Sequence, residues 1–202
     1  QGIIAQLTSV LFKKNVNILS MEQYVDSENK KFYARILTES KIAIPQKVLS
    51  SMGRALNGVC NVFNPLKKIN VAILGTKEIE PIYDLLIKYK SDDLAFNNPI
   101  IISNHKMLQC IAEKFNVPFF RVTNNDDLLK VLKAHNIKLL VLARYMQIIP
   151  NKIIKLYNHS IINIHHGFLP AFKGAKPYHQ AHTKGVKIIG ATAHYATDEL
   201  DE

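Results

Sequence analysis

Apolar residues recur at Ile3, Ile4, Leu7, Val10 and Leu11, the spacing of one face of a helix, and Asn15 stands where such a helix stops. Val16 to Tyr24 and Lys31 to Leu37 then read as strands, joined by the polar stretch Asp26-Ser27-Glu28-Asn29. Pro45 is placed to open a second helix through Met52 and Leu56, and Gly58 to Phe63 reads as a further short strand. The predicted order is α-β-β-α-β. It becomes β-α-β-β-α-β, the ferredoxin-like split arrangement, when one strand precedes Gln1.

The pattern changes after the turn-like link Asn64-Pro65-Leu66-Lys67-Lys68, which puts a domain boundary between residues 1–64 and 65–202. Ile69 to Leu74 is a continuous apolar run, as expected of a strand covered on both faces. A helix over Ile79 to Tyr89, a strand near Pro99 to Ile102 and a helix from His105 to Phe115 follow. Next come a short strand around Phe119, a helix from Asp126 to His135, and strands Leu139 to Leu142 and Ile161 to Ile164. Strands and helices alternating at this length predict a Rossmann-like parallel α/β sheet. Ligands of open sheets of this kind bind beyond the carboxyl ends of the strands. Asn163 to His165 and Ala143-Arg144-Tyr145-Met146 both lie at such ends.

Composition narrows the class. The chain has 202 residues, 48% hydrophobic and 21% charged, as in an ordinary globular protein. No apolar stretch approaches the ~18 residues of a membrane span, and no signal-peptide pattern opens the chain. The net charge of +10 comes from scattered or paired lysines such as Lys13-Lys14 and Lys30-Lys31. Clustered Arg with interleaved aromatics, the mark of a nucleic-acid reader, is absent. Neither a membrane nor a nucleic acid is expected as a partner. Cys60 and Cys110 sit in apolar surroundings without metal or disulfide spacing, so both read as buried packing residues of a reducing, cytoplasmic compartment. The chain lacks an initiator Met and stops beside a candidate catalytic acid, which predicts a fragment cut at both ends.

The chemistry is concentrated in I-I-N-I-H-H-G-F-L-P-A-F, Ile161 to Phe172. An apolar run ends in an amide and two imidazoles, then meets Gly and Pro. Asn163 alone would be a strand-end cap. Asn163, His165, His166 and His194 with Asp201 supply an oxyanion donor, a proton carrier and an orienting acid, the set that metal-free acyl transfer needs. His165, His166, His179, His182 and His194 lack helical H-E-x-x-H or Cys context, so no metal is expected, and His179 and His182 read as a helix face. Gly75-Thr76-Lys77 has one glycine where a phosphate loop needs several, and reads as an ordinary strand-to-helix turn. No serine sits in a G-x-S-x-G elbow.

I-I-N-I-H-H-G-F-L-P-A-F-K-G-A-K-P-Y-H-Q-A and G-V-K-I-I-G-A-T-A-H-Y-A-T-D-E-L-D-E closely resemble the formyltetrahydrofolate hydrolase/formyltransferase superfamily. L-A-R-Y-M-Q over Leu142 to Gln147, the pair His165-His166 and A-F after Leu169-Pro170 resemble its hydrolase branch. The sibling glycinamide ribonucleotide formyltransferases carry a glycine-rich phosphate loop that this chain lacks. The resemblance spans nearly the whole chain and is strongest from Leu142 to Glu202. It implies hydrolysis of 10-formyltetrahydrofolate to formate and tetrahydrofolate without metal or organic cofactor, in one-carbon balance and purine supply. It implies Asn163 and His165 as oxyanion and proton-transfer residues and Asp201 as the acid that orients water and His. His166 and His194 would line the site, and the Arg144-Tyr145-Met146 loop would hold the folate pterin. The first domain resembles an ACT regulatory domain, which implies an amino-acid effector and a homo-oligomer. Gly167 departs from the family, which carries Ser there. Two alternatives stay open: formyl transfer to an amine such as glycinamide ribonucleotide, and an inactive folate- or amino-acid-binding fragment.

Overall fold

The computed structural model describes residues 2–42, 44–65, 67–174 and 176–197. The chain divides into two compact units, Gln1–Asn64 and Pro65–Glu202.

The first unit contains α1 (Ile3–Lys13), β1 (Asn17–Asp26), β2 (Lys31–Glu39) and α2 (Gln46–Ala55). β1 and β2 form a two-stranded antiparallel hairpin with a bulge between Ile18 and Ser20. Asn29 closes its turn by donating from its backbone and side chain to Asp26. Past the bulge, Met21, Val25, Phe32 and Ile36 lie on one face. Glu22–Arg35 and the stacked rings of Tyr24 and Tyr33, 6.4 Å apart, lie on the other. The strand expected over Gly58 to Phe63 is not formed. Neither hairpin strand pairs with this segment, so its backbone has no ladder to join, and Val59 and Phe63 are exposed at 89% and 84%.

The second unit is a six-stranded sheet of order β5-β4-β3-β6-β7-β8. Its strands are β3 (Ile69–Gly75), β4 (Phe96–Ser103), β5 (Phe119–Arg121), β6 (Leu139–Ala143), β7 (Ile161–His165) and β8 (Thr192–Tyr195). β3 to β7 are parallel. β8 runs antiparallel to β7, so the all-parallel expectation fails at this edge. Alternate residues of the apolar runs face opposite ways. Leu74, Ile102, Leu140 and Leu142 pack beneath α5 (Asn125–Ala134) and α6 (Asn151–Leu156). Ile73, Ile101, Val141 and Ala143 pack beneath α3 (Glu80–Lys90) and α4 (Gln109–Lys114). The two layers explain why β3 and β6 are apolar throughout rather than alternating.

Helix ends follow local chemistry. Asn15, Asn57, Asn116 and Asn136 take left-handed backbone just past α1, α2, α4 and α5, the conformation that ends a helix and that Asn tolerates. Asn124 caps α5 by accepting the Asp127 N–H at 2.9 Å. The helix expected over His105 to Phe115 is shorter. His105 is extended, its N–H donates to the Ser103 hydroxyl, and a 3-10 turn at Lys106–Leu108 leads into α4. Cys110 is exposed on the outer side of α4, contrary to the burial expected of it, because Ile111 and Ala112 supply the inner side. α7 (Pro177–Thr183) carries His179 and His182 on its exposed face. Among the described residues no helix is long and apolar enough to cross a membrane.

Candidate active site

The chain order reverses between β3 and β6: β4 and β5 lie to one side, β6 to β8 to the other. The carboxyl ends of β3 and β6 therefore flank the crevice where a doubly wound sheet binds its ligand. Gly75 ends β3 there. A Cβ on it would stand 2.6 Å from Ile82 Cδ1 and 2.9 Å from Leu108 Cδ1, so a larger residue here would have to push those side-chain ends aside.

β7 brings Asn163 and His165 to the same level. Being two residues apart on a strand they share one face, and Asn163 lies in register with Leu142 on β6. Across the other edge of β7, Asn163 pairs with His194 and His165 with Thr192.

Hydrogen-bond partners fix both side chains. His194 Nδ1 is 3.2 Å from the Tyr195 carbonyl, which only accepts, so Nδ1 carries the proton. Nε2 of the neutral ring then accepts from Asn163 Nδ2 at 3.1 Å. The amide is oriented by this bond and keeps a second N–H. His165 is buried, 5% exposed, and its Nε2 donates to the Phe172 carbonyl at 3.0 Å. The lone pair of that tautomer is at Nδ1. The His166 ring lies 5.6 Å from that of His165 and meets Tyr178 edge-on at 5.4 Å.

The segment after β7 is folded back onto the sheet by Thr192. Its hydroxyl donates to the Gly167 carbonyl at 2.7 Å and accepts the Leu169 N–H at 3.1 Å. Gly167 is buried. A Cβ there would lie 2.9 Å from Pro177 Cβ and 3.0 Å from His165 Nε2, closer than side chains pack.

At the end of β6, Arg144 turns the chain off the strand with φ 54°, and its buried Nε has no hydrogen-bond partner among the described residues. Tyr145 is half-buried against the α5–α6 side of the core and donates from its hydroxyl to Gln147 Oε1 at 2.7 Å; burial pushes its phenol pKa up. The Met146 side chain is 70% exposed, so its contribution to the loop is its backbone N–H, held at 2.9 Å by Thr76 Oγ1.

Asn163, His165, His166 and His194 thus form one cluster, with Arg144, Tyr145 and Met146 beside it at the neighbouring strand end. Asp201 lies outside the described residues. Among the described residues no group of three or more His, Cys, Asp or Glu stands where it could hold a metal ion. Sequence reasoning missed Thr76 and Thr192. No spacing marks them, because each binds a residue 23 or more positions away.

A sequence profile of the formyl transferase family matches residues 69–202. The formyltetrahydrofolate deformylase of Escherichia coli K12 is 36% identical over 211 aligned positions, spanning 100% of this chain and 75% of that protein. The crystal structure of a formyltetrahydrofolate deformylase from Pseudomonas syringae pv. tomato superposes with a TM-score of 0.87 at 32% identity, covering 99% of this chain and 72% of that one. A phosphoribosylglycinamide formyltransferase from Anaplasma phagocytophilum superposes with a TM-score of 0.63 at 32% identity, over 67% of this chain and 68% of that one. The polar end of β7 and the whole-chain likeness agree, and the chain belongs to the formyl transferase family, in its formyltetrahydrofolate deformylase branch.

Proposed function

We propose that this chain hydrolyses 10-formyltetrahydrofolate to formate and tetrahydrofolate. The observation that carries the reading is the pair Asn163 and His165 on one face at the end of β7, each held by a defined hydrogen bond. Water attacks the formyl carbon. The N–H of Asn163 not given to His194 donates to the developing oxyanion, a contribution of about 3 kcal/mol for donors of this kind. His165 takes a proton from the attacking water at the Nδ1 lone pair and passes it to the departing N10 as the C–N bond breaks, leaving tetrahydrofolate and formic acid, which ionises to formate. Asp201, by the family resemblance, orients the water and His165. The Arg144–Met146 loop takes the pterin, and His166 and His194 line the site. Each step is met by side chains of the chain itself, without metal or organic cofactor.

The transferase alternative requires a site for an amine. Gly75 is the lone glycine of the β3–α3 turn, and Glu80 puts a carboxylate in the first turn of α3, where a phosphate would otherwise gain from the helix dipole. Water is therefore the acceptor. The free thiols of Cys60 and Cys110 suit a reducing cytoplasm, and the formate produced feeds purine synthesis. The first unit acts as an ACT-like amino-acid sensor in a homo-oligomer. Its support is the bare hairpin: Leu19, Tyr24, Val25 and Tyr33 are 52–65% exposed, and a two-stranded hairpin alone is marginal in water.

Formyl-labelled substrate tests the reading. Formate release should be unchanged by glycinamide ribonucleotide or by EDTA, and Asn163→Ala should lower turnover about 100- to 1,000-fold. Label appearing on the amine faster than in formate would replace the hydrolase with a transferase.

A further inference from the structure

Thr76 was read from the sequence as part of an ordinary turn. It instead joins three loops at the carboxyl ends of the central strands. Its hydroxyl, just past β3, accepts the N–H of Met146, just past β6, at 2.9 Å. Its carbonyl accepts the hydroxyl of Ser103, the last residue of β4, at 3.2 Å. Ser103 is fully buried, and its oxygen also accepts the His105 N–H at 3.1 Å. Through Thr76 the loop after β6 is referred to the rigid centre of the sheet.

The loop needs such a reference. Residues 144–146 have no regular structure, and Arg144 departs from β6 in the left-handed region, which a non-glycine residue adopts at a cost of about 1–2 kcal/mol. A strained departure persists where surrounding contacts over-determine it. The Tyr145–Gln147 bond is internal to the segment and fixes its shape, not its place. The Thr76–Met146 bond links it to a residue 70 positions away, on the opposite wall of the crevice.

We infer that Thr76 is a positioning residue: its hydroxyl sets where the Arg144–Met146 loop presents its backbone to the folate. The inference rests on the proposed reading that this loop holds the pterin. Thr76 touches neither the formyl group nor Asn163 and His165 in this assignment, so it acts on substrate binding rather than on the bond-breaking step.

The test compares the parent protein with Thr76→Val, which keeps the branched shape and removes the acceptor, and with Thr76→Ser, which restores it. Two quantities are read: hydrogen exchange at the Met146 amide, and KM and kcat for 10-formyltetrahydrofolate hydrolysis. The expected result is faster Met146 exchange in Thr76→Val, KM raised about 2- to 10-fold as befits one neutral hydrogen bond, kcat within about twofold of the parent, and recovery of all three in Thr76→Ser. Unchanged exchange would remove the tether. Faster exchange with an unchanged KM would remove its role in binding, and a fall in kcat at constant KM would move Thr76 into the chemistry. Each of these overturns the inference while leaving the hydrolase reading intact. A parent protein that neither binds nor hydrolyses the folate overturns both.

Discussion

Gly167→Ala places a methyl group where the site has least room. Two effects oppose each other. Gly167 has no left-handed φ, so alanine can adopt its backbone, and the stiffer unfolded chain then contributes about 0.4–1 kcal/mol of stability. Against this, the new Cβ lies 2.9 Å from Pro177 Cβ, 3.0 Å from His165 Nε2 and 3.2 Å from His165 Cδ2. Ordinary carbon contacts are about 3.5–4.0 Å, so something must retreat by roughly half an ångström. The backbone at 167 is pinned by Thr192 through the Gly167 carbonyl and the Leu169 N–H. Pro177 is buried in the first turn of α7 and its ring cannot swing away. The His165 ring gives way, and with it the bond to the Phe172 carbonyl. Overpacking costs about 1–3 kcal/mol and the lost bond about 0.5–1.5 kcal/mol. Together they exceed the entropic gain, and the net is a destabilisation of about 1–3 kcal/mol. Urea unfolding of the second unit should shift to a lower midpoint by about 1 M, using a slope of about 1–3 kcal/mol/M. The His165 ring proton should exchange faster than in the parent, where it is buried and bonded to the Phe172 carbonyl. An alanine variant at least as stable as the parent, with that proton still protected, would refute the reasoning. Serine adds a hydroxyl to the same Cβ and should be no better tolerated.

Thr192→Val removes one donor and one acceptor from the segment after β7, and should cost about 1–3 kcal/mol; limited proteolysis should cut between residues 167 and 173 faster than in the parent. Burial raises the Tyr145 phenol above its ordinary value near 10, so its contribution to stability is complete below that value and is lost as pH rises through the folded pKa. Tyr145→Phe should therefore lose less stability than the parent between about pH 8 and pH 11, measured by urea midpoints. An equal loss would assign the alkaline transition to Tyr157, whose phenol burial also raises.

The parts of the fold that the chain displays openly are those governed by burial. β3 and β6 are continuous apolar runs because helices cover both faces, and that composition admits few other readings. β8 gives no such sign: Thr-Ala-His-Tyr is four residues long, half-buried at alternate positions, and ladders with one neighbour. α6 and α7 are too short for helical spacing to emerge, at six and seven residues. Gly58 to Phe63 shows the converse error, since β propensity cannot form a strand without a ladder to join. At the site, Asn163 and His165 stood out because polar residues at the end of an apolar run are costly to bury without partners. The two threonines did not, because a hydroxyl that binds across 23 to 70 residues looks like any other surface threonine until the chain is folded.

The pairing of Asn163 with His194 also sets a schedule. The partners are 31 residues apart, so at ribosomal rates of about 5–20 residues per second some 2 to 6 seconds separate their synthesis. During that interval β7 can dock on β6 through its parallel ladder while its outer edge stays unpaired, with backbone donors and acceptors open to any passing strand. The same four-residue strand that orients the Asn163 amide closes that edge, so the nascent chain carries an open strand edge until β8 is made.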